Sequence, residues 1–116
     1  MAKKKAQIFT VVGLNYRVTK PVIRELQEAV PFRIVVYREP ENTHDENAIA
    51  VAVDDRRVAH NKMKIGYLTR QVASVLAPAL DDGSRAVHDA VIVSLDPEHG
   101  TAEAKISFTR VKKLGV

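Results

Sequence analysis

The 116-residue sequence has no cysteine and no tryptophan, and aromatic residues make up only 5% of it. Without cysteine there is no disulfide, no thiol nucleophile and no thiolate zinc site. No apolar run approaches the roughly 20 residues of a membrane-spanning helix. The charged N-terminus is not followed by an apolar segment, so no secretory leader is expected, and the expected location is intracellular and cytoplasmic. The chain contains no G-x-S-x-G elbow and no phosphate-cradling glycine-rich loop, which argues against a serine hydrolase or an ATPase.

The chain is long enough for one hydrophobic core and not for two. Apolar residues at 46% and charged residues at 28% are ordinary for a globular domain. Eighteen basic residues against fourteen acidic ones leave a net charge of +4, which suits a polyanionic partner without demanding one. The expected organisation is a basic tail over residues 1–6 (Lys3-Lys4-Lys5), a single domain over 7–111 and a second tail over 112–116.

Periodicity supplies the elements. Gln7 to Tyr16 reads as a strand interrupted by Gly13, a sign of a bulge or a close backbone approach. Thr19 and Pro21 open a helix whose stripe is Val22, Ile23, Leu26 and Val30, and Pro31 ends it. Phe32 to Arg38 alternates as a second strand. Asn47 to Asp54 follows with Ala48, Ala50 and Ala52 on one face and Ile49, Val51 and Val53 on the other. Val58 could add a short return strand within the polar excursion Asp55 to Lys64. Ile65-Gly66-Tyr67-Leu68 is a short strand, after which Thr69 caps a helix with the stripe Val72, Ala73, Val75, Leu76, Ala79 and Leu80, ended or kinked by Pro78. Strands over Ala86–Leu95 and Thr101–Val111 flank the turn Asp96-Pro97-Glu98-His99-Gly100, with Val87, Val91 and Val93 on one face of the first. The expected fold is mainly β with two short helices (α+β), a small, highly curved barrel of about six strands.

The densest polar stretch runs from Arg38 through Pro40, Asn42, His44, Asp45 and Asn47 into the third strand. Asn42, Asp45 and Asn47 are residue types that brace turns through side-chain to backbone hydrogen bonds, while His44 and Asp45 could equally face a ligand. Arg38 and Glu39 read as a pair at the strand end. Tyr16, between Asn15 and Arg17, is either a half-buried strand-end tyrosine or a stacking platform beside a phosphate-binding cation. Arg70 is either an indifferent exposed arginine or, in the first turn of its helix, one half of an anion site. The histidine–aspartate neighbours His44/Asp45, His88/Asp89 and His99/Asp96, and His60, lack the spacing of a metal motif. These residues leave open a single-stranded nucleic-acid module, a protein-binding adaptor and a metal-dependent phosphoesterase. The first needs aromatic faces and cations on one surface of a rigid barrel, which Tyr16-Arg17, His44-Asp45 and Tyr67 to Arg70 could supply.

The sequence resembles the HIRAN domain family. The resemblance is carried by Val12-Gly13-Leu14-Asn15-Tyr16-Arg17, by Arg38-Glu39-Pro40-x-Asn42-x-His44-Asp45-x-Asn47-Ala48-Ile49-x-Val51, and by Ile65-Gly66-Tyr67-Leu68-x-Arg70-x-Val72-Ala73 with Leu76-Ala77-Pro78. It implies an OB-like β-barrel that binds single-stranded DNA or its 3′-hydroxyl end, without catalysis or a cofactor, alongside a separate repair or fork-remodelling enzyme such as a helicase or nuclease in trans. It also implies that Tyr16 stacks on a base, that His44 stands at an often-aromatic position, that the Asp45 carboxylate helps hold the terminal nucleotide and its 3′-hydroxyl, and that Tyr67 and Arg70 contact the strand. With the residues' own chemistry, the expected DNA-binding set is Asn15, Tyr16, Arg17, His44, Asp45, Tyr67 and Arg70, and Asn42 and Asn47 are expected to brace the loop. Asn15 stands where some members have arginine, and Thr69 where proline is common.

Overall fold

The structure is a computed structural model that describes residues 4–110, with side chains described from Ala6 to Thr109. Residues 1–3 and the expected C-terminal tail over 112–116 lie outside the described residues. The element order is β1 (Lys4–Val12), α1 (Leu14–Arg17), α2 (Lys20–Ala29), β2 (Phe32–Arg38), β3 (Ile49–Val53), β4 (Lys64–Leu68), α3 (Arg70–Asp81), β5 (Arg85–Asp96) and β6 (Thr101–Arg110). β1 thus begins within the segment expected as a tail. The six strands close into a barrel in the order β1-β4-β3-β2-β5-β6, and every pairing is antiparallel.

The expected strand through Tyr16 stops at Val12. Gly13 adopts φ +86°, a left-handed conformation that glycine reaches without a Cβ penalty, and it turns the chain into α1. The Tyr16 amide donates to the Gly13 carbonyl at 3.1 Å and the Val18 amide to the Leu14 carbonyl at 2.8 Å. Leu14, fully buried, anchors this third helix in the core. Asn15, Tyr16 and Arg17 therefore ride on a helical turn rather than a strand end.

The interior is filled by the alternate residues of the strands, among them Val11, Phe32, Ile34, Ile49, Val51, Val53, Ile65, Ile92, Ala104, Ile106 and Phe108. Ile23 and Leu26 of α2, together with Ala73, Leu76 and Ala77 of α3, are buried with them. Each large side chain buried in this way contributes about 1.5–3 kcal/mol. β3 is buried on both faces, alanines included. Gly66 lets β1 and β4 approach, because a Cβ there would lie 2.4 Å from the Val12 carbonyl oxygen.

Local expectations in α3, β5 and the loop after β3 are refined. Val75, assigned to the buried stripe of α3, is 71% exposed, and of the two roles expected for Pro78 the helix end is excluded, because Pro78 lies in the last turn and the helix runs on to Asp81. Val87, Val91 and Val93, expected on one face of β5, do not share one environment: Val87 packs against the core and Val93 is exposed, while the buried positions of the strand are Ala90, Ile92 and Leu95. Register shifts near Val87/Asp89 and Ile92/Ser94 change which side chains point inward, and a period-2 reading cannot anticipate them. Val58 forms no strand. It sits buried in a loop organised by Asp55, whose carboxylate accepts from the Arg33 amide and from the Arg57 amide, Nε and Nη2. Those bonds from Arg57 hold the Asp55 carboxyl well below the usual carboxylate range.

Candidate nucleic-acid interface

The nominated residues come from three elements: α1, the loop between β2 and β3, and β4 with the start of α3. A single chain of hydrogen bonds joins them. Arg17 Nη2 donates to the Tyr67 hydroxyl at 3.0 Å, and that hydroxyl donates to Glu39 Oε1 at 2.8 Å. Asn42 Nδ2 donates to the same Glu39 oxygen at 3.1 Å, while Asn42 Oδ1 accepts the amides of His44 (2.8 Å) and Asp45 (3.1 Å). Arg70 Nη2 then closes onto the His44 carbonyl at 2.7 Å.

The link through β4 depends on a bulge. Lys64 and Tyr67 are three residues apart, a spacing that puts side chains on opposite faces of a regular strand. The β3–β4 register slips between Val51 and Ala52, so Tyr67 lies opposite Ala50 and Lys64 opposite Ala52. Both side chains thereby share the outer face above the small alanines. Lys64 Nζ reaches Glu39 Oε2 at 2.7 Å and the Tyr67 hydroxyl at 3.1 Å. Arg17 Cζ and Lys64 Nζ each stand 5.2 Å from the Tyr67 ring centroid, within cation–π range.

Glu39, expected only as part of the strand end and not of the site, is the hub of this arrangement, and Lys64, not singled out in the sequence, is its partner. Burial pushes the Glu39 carboxyl up. Hydrogen bonds from Lys64, Asn42 and Tyr67, with the Lys64 charge, outweigh that and hold it below its ordinary value. Lys64 is raised in turn, first by its bond to Glu39 and then by its bond to Tyr67. In the sequence Glu39, Asn42 and Tyr67 stand within the HIRAN-like motifs and Lys64 directly precedes the Gly-Tyr strand, but nothing in that order specifies which of them pair. The expected Arg38–Glu39 pair does not form. Arg38 instead makes a two-point ion pair with Asp81 (2.9 and 3.2 Å) and donates to the Ala48 and Glu46 carbonyls, which ties the loop to α3.

The structure puts the other nominated residues as follows. Tyr16 is 95% exposed, so the half-buried alternative does not hold, and its ring has no packing role. Asn15 rests its amide on the β5–β6 turn: a Cβ at Gly100 would fall 2.4 Å from the Asn15 Cγ. His44 is exposed and its ring makes no hydrogen bond among the described residues. Asp45 uses Oδ1 to accept the Asn47 amide at 2.9 Å, while Oδ2 has no partner among the described residues. Asn47 contributes its main chain to that brace. Thr69 caps α3 by accepting the Val72 amide, and Arg70 is exposed beside it. His60 pairs with Glu25 and His99 with Asp96. Among the described residues no three histidine, aspartate or glutamate side chains gather as a metal site would require.

The result is a surface with an exposed aromatic ring, a second ring in contact with Arg17 and Lys64, Arg70 beside the loop, and one carboxylate oxygen left open. Comparisons with other proteins bear on what such a surface belongs to. No curated protein sequence matches the chain. Among solved structures, the crystal structure of the HIRAN domain of human HLTF is similar over 92% of this chain and 77% of that one, with a TM-score of 0.68 and 22% identity. The NMR structure of the HLTF HIRAN domain in its DNA-bound conformation is similar over 96% and 80%, with a TM-score of 0.60 and 22% identity. A protein from Lactobacillus plantarum is similar over 94% and 100%, with a TM-score of 0.68 and 23% identity. The family model of the HIRAN domain matches residues 4–113, and the chain belongs to that family.

Proposed function

We infer that this barrel is a DNA-binding module that takes single-stranded DNA and its 3′-hydroxyl end without transforming it, and that it serves a separate repair or fork-remodelling enzyme inside the cell. The observation that carries this reading is Tyr16, a ring 95% exposed on a rigid turn next to Arg17. An unpacked aromatic beside a cation is what a nucleobase with its phosphate requires. Support also comes from a similar fold, the HLTF HIRAN domain, having been solved in its DNA-bound conformation.

In this reading the base lies on Tyr16, and Arg17 and Arg70 meet phosphates. Asp45 Oδ2 accepts from the terminal 3′-hydroxyl. The hydrogen-bond chain through Tyr67, Glu39 and Asn42 holds these groups in register, so little ordering is left to binding. The carboxylate would repel a 3′-phosphate, which gives the site a basis for choosing an unmodified end.

Fluorescence anisotropy with the same single strand ending in 3′-hydroxyl or 3′-phosphate, and with blunt duplex, tests this. The hydroxyl end should bind most tightly, with a log–log salt slope of about −0.7 per phosphate contacted. Equal affinity for all three would refute end recognition, and no binding at low salt would refute the reading altogether.

A further inference from the structure

The barrel is closed unevenly. β2 and β5 pair only at Phe32–Ile92 and Arg33–Val91, whereas β2 pairs with β3 along Ile34–Arg38 and β5 pairs with β6 almost throughout. Beyond Arg33 the two strands part. The seam between them holds a cavity of about 480 Å³ lined by Arg33, Val35, Val36, Val87, His88 and Asp89, among others. The Arg38–Asp81 ion pair ties the far end of β2 to α3.

The main chain of β2 has a defined polarity across this seam. The Arg33 carbonyl accepts from the Asp54 amide at 2.9 Å and the Glu39 amide donates to the Ala48 carbonyl at 3.0 Å, so both face β3. The β2–β3 register between them is unbroken. Main-chain groups point alternately to the two sides of a strand. Val35 and Tyr37 therefore bond to β3. On the other side the Arg33–Val91 pair draws on the Ile34 N–H, which leaves the Ile34 C=O and both the N–H and C=O of Val36 facing the seam. Val35 and Tyr37 also leave apolar side chains 40% and 39% exposed on the outer face alongside.

We propose that the β2–β5 seam is a docking site for an extended peptide segment of a partner protein, added as a strand against Ile34–Val36. A row of strand donors and acceptors repeating every second residue is matched by another polypeptide main chain. The side chains oppose a nucleic acid there, because the lining has one arginine, Arg33, against Asp54 and Asp89. Alternate residues of the incoming strand pack on Val35 and Tyr37 and are apolar. Neutral or basic residues suit the Asp89 side. The seam is distinct from the residues placed in the DNA interface, so a peptide and a DNA strand bind the barrel together.

Amide hydrogen exchange, followed by NMR on the full chain, is the first test. In the free protein the Val36 amide should exchange at least about tenfold faster than those of Val35 and Tyr37, despite its mid-strand position. A phage-displayed library of random short peptides, panned on the chain, supplies the probes, and selected peptides are synthesised and titrated. Bound peptides should slow Val36 exchange and show alternating apolar residues. Val36→Pro removes the seam donor, while the β3 ladder bonds run through Val35 and Tyr37, and a variant that still melts cooperatively should bind them about tenfold or more weakly. Tyr37→Lys, a surface change, should weaken them as well while leaving DNA affinity unchanged. Equal protection of Val36, Val35 and Tyr37 in the free chain would overturn the proposal. So would peptides indifferent to both variants, protection of Val36 that follows protein concentration alone, or protection of Val36 by single-stranded DNA.

Discussion

Replacing Tyr16 with alanine should separate binding from folding. The ring is 95% exposed and makes no hydrogen bond or ring contact among the described residues, while its neighbour Leu14 holds the turn in the core. A substitution at so exposed a position shifts stability by only about 0.5 kcal/mol either way. If the ring stacks on a base, its loss costs about 1–3 kcal/mol of binding, or about 5- to 150-fold in Kd. Tyr16→Phe keeps the stacking face and should stay close to the parent. The assays are anisotropy with a 3′-hydroxyl single strand and a thermal melt of each variant. A Tyr16→Ala protein that melts like the parent and binds within twofold of it would refute the assignment of this ring. A large fall in melting temperature would show instead that the ring is structural, against its exposure.

Three further outcomes follow from the geometry. Asp45→Asn keeps an oxygen for the Asn47 amide but removes the charge, so in end-labelled binding assays the preference for 3′-hydroxyl over 3′-phosphate should shrink. Asp45→Ala should in addition loosen the loop and weaken both. Gly66→Ala would drive a Cβ against the Val12 carbonyl, a backbone atom that cannot swing aside, and should cost about 1–3 kcal/mol in urea unfolding. Asp55 is a carboxylate whose folded value lies below its ordinary 3.8. Its contribution is therefore fully present above that pH and is lost as pH falls through the folded value. Asp55→Asn should lower stability at neutral pH and flatten the acid limb of the stability profile, and an unchanged acid limb would contradict the role given to Arg57.

Much of the barrel was legible because each strand and helix announces itself within a single segment. β2 alternates cleanly, Ile23 and Leu26 sit at helical spacing, and the turn from Asp96 to Gly100 is written in residues that favour turns. The misses fall where one segment depends on another. The β5 face was misread because its bulges arise in pairing with β6. Val75 was misread because only packing decides which part of an apolar stripe on α3 meets the barrel. Tyr16 and Arg17 were picked out as residue types, but their helical turn rests on one left-handed glycine.

The sequence by itself determined the inventory: the family motifs, the braced loop around Asn42 and Asp45, the two tyrosines and the arginines beside them. Tertiary structure decided how these residues are connected. Glu39 became the hub because a slip in the β3–β4 register brings Lys64 and Tyr67 to one face. Arg70 found the His44 carbonyl across 26 residues of sequence. The open seam arose because β2 and β5 part after two residue pairs. Side-chain period is a property of one strand and can be read along it. Register and closure belong to pairs of strands, and they are set only when the chain has folded back on itself.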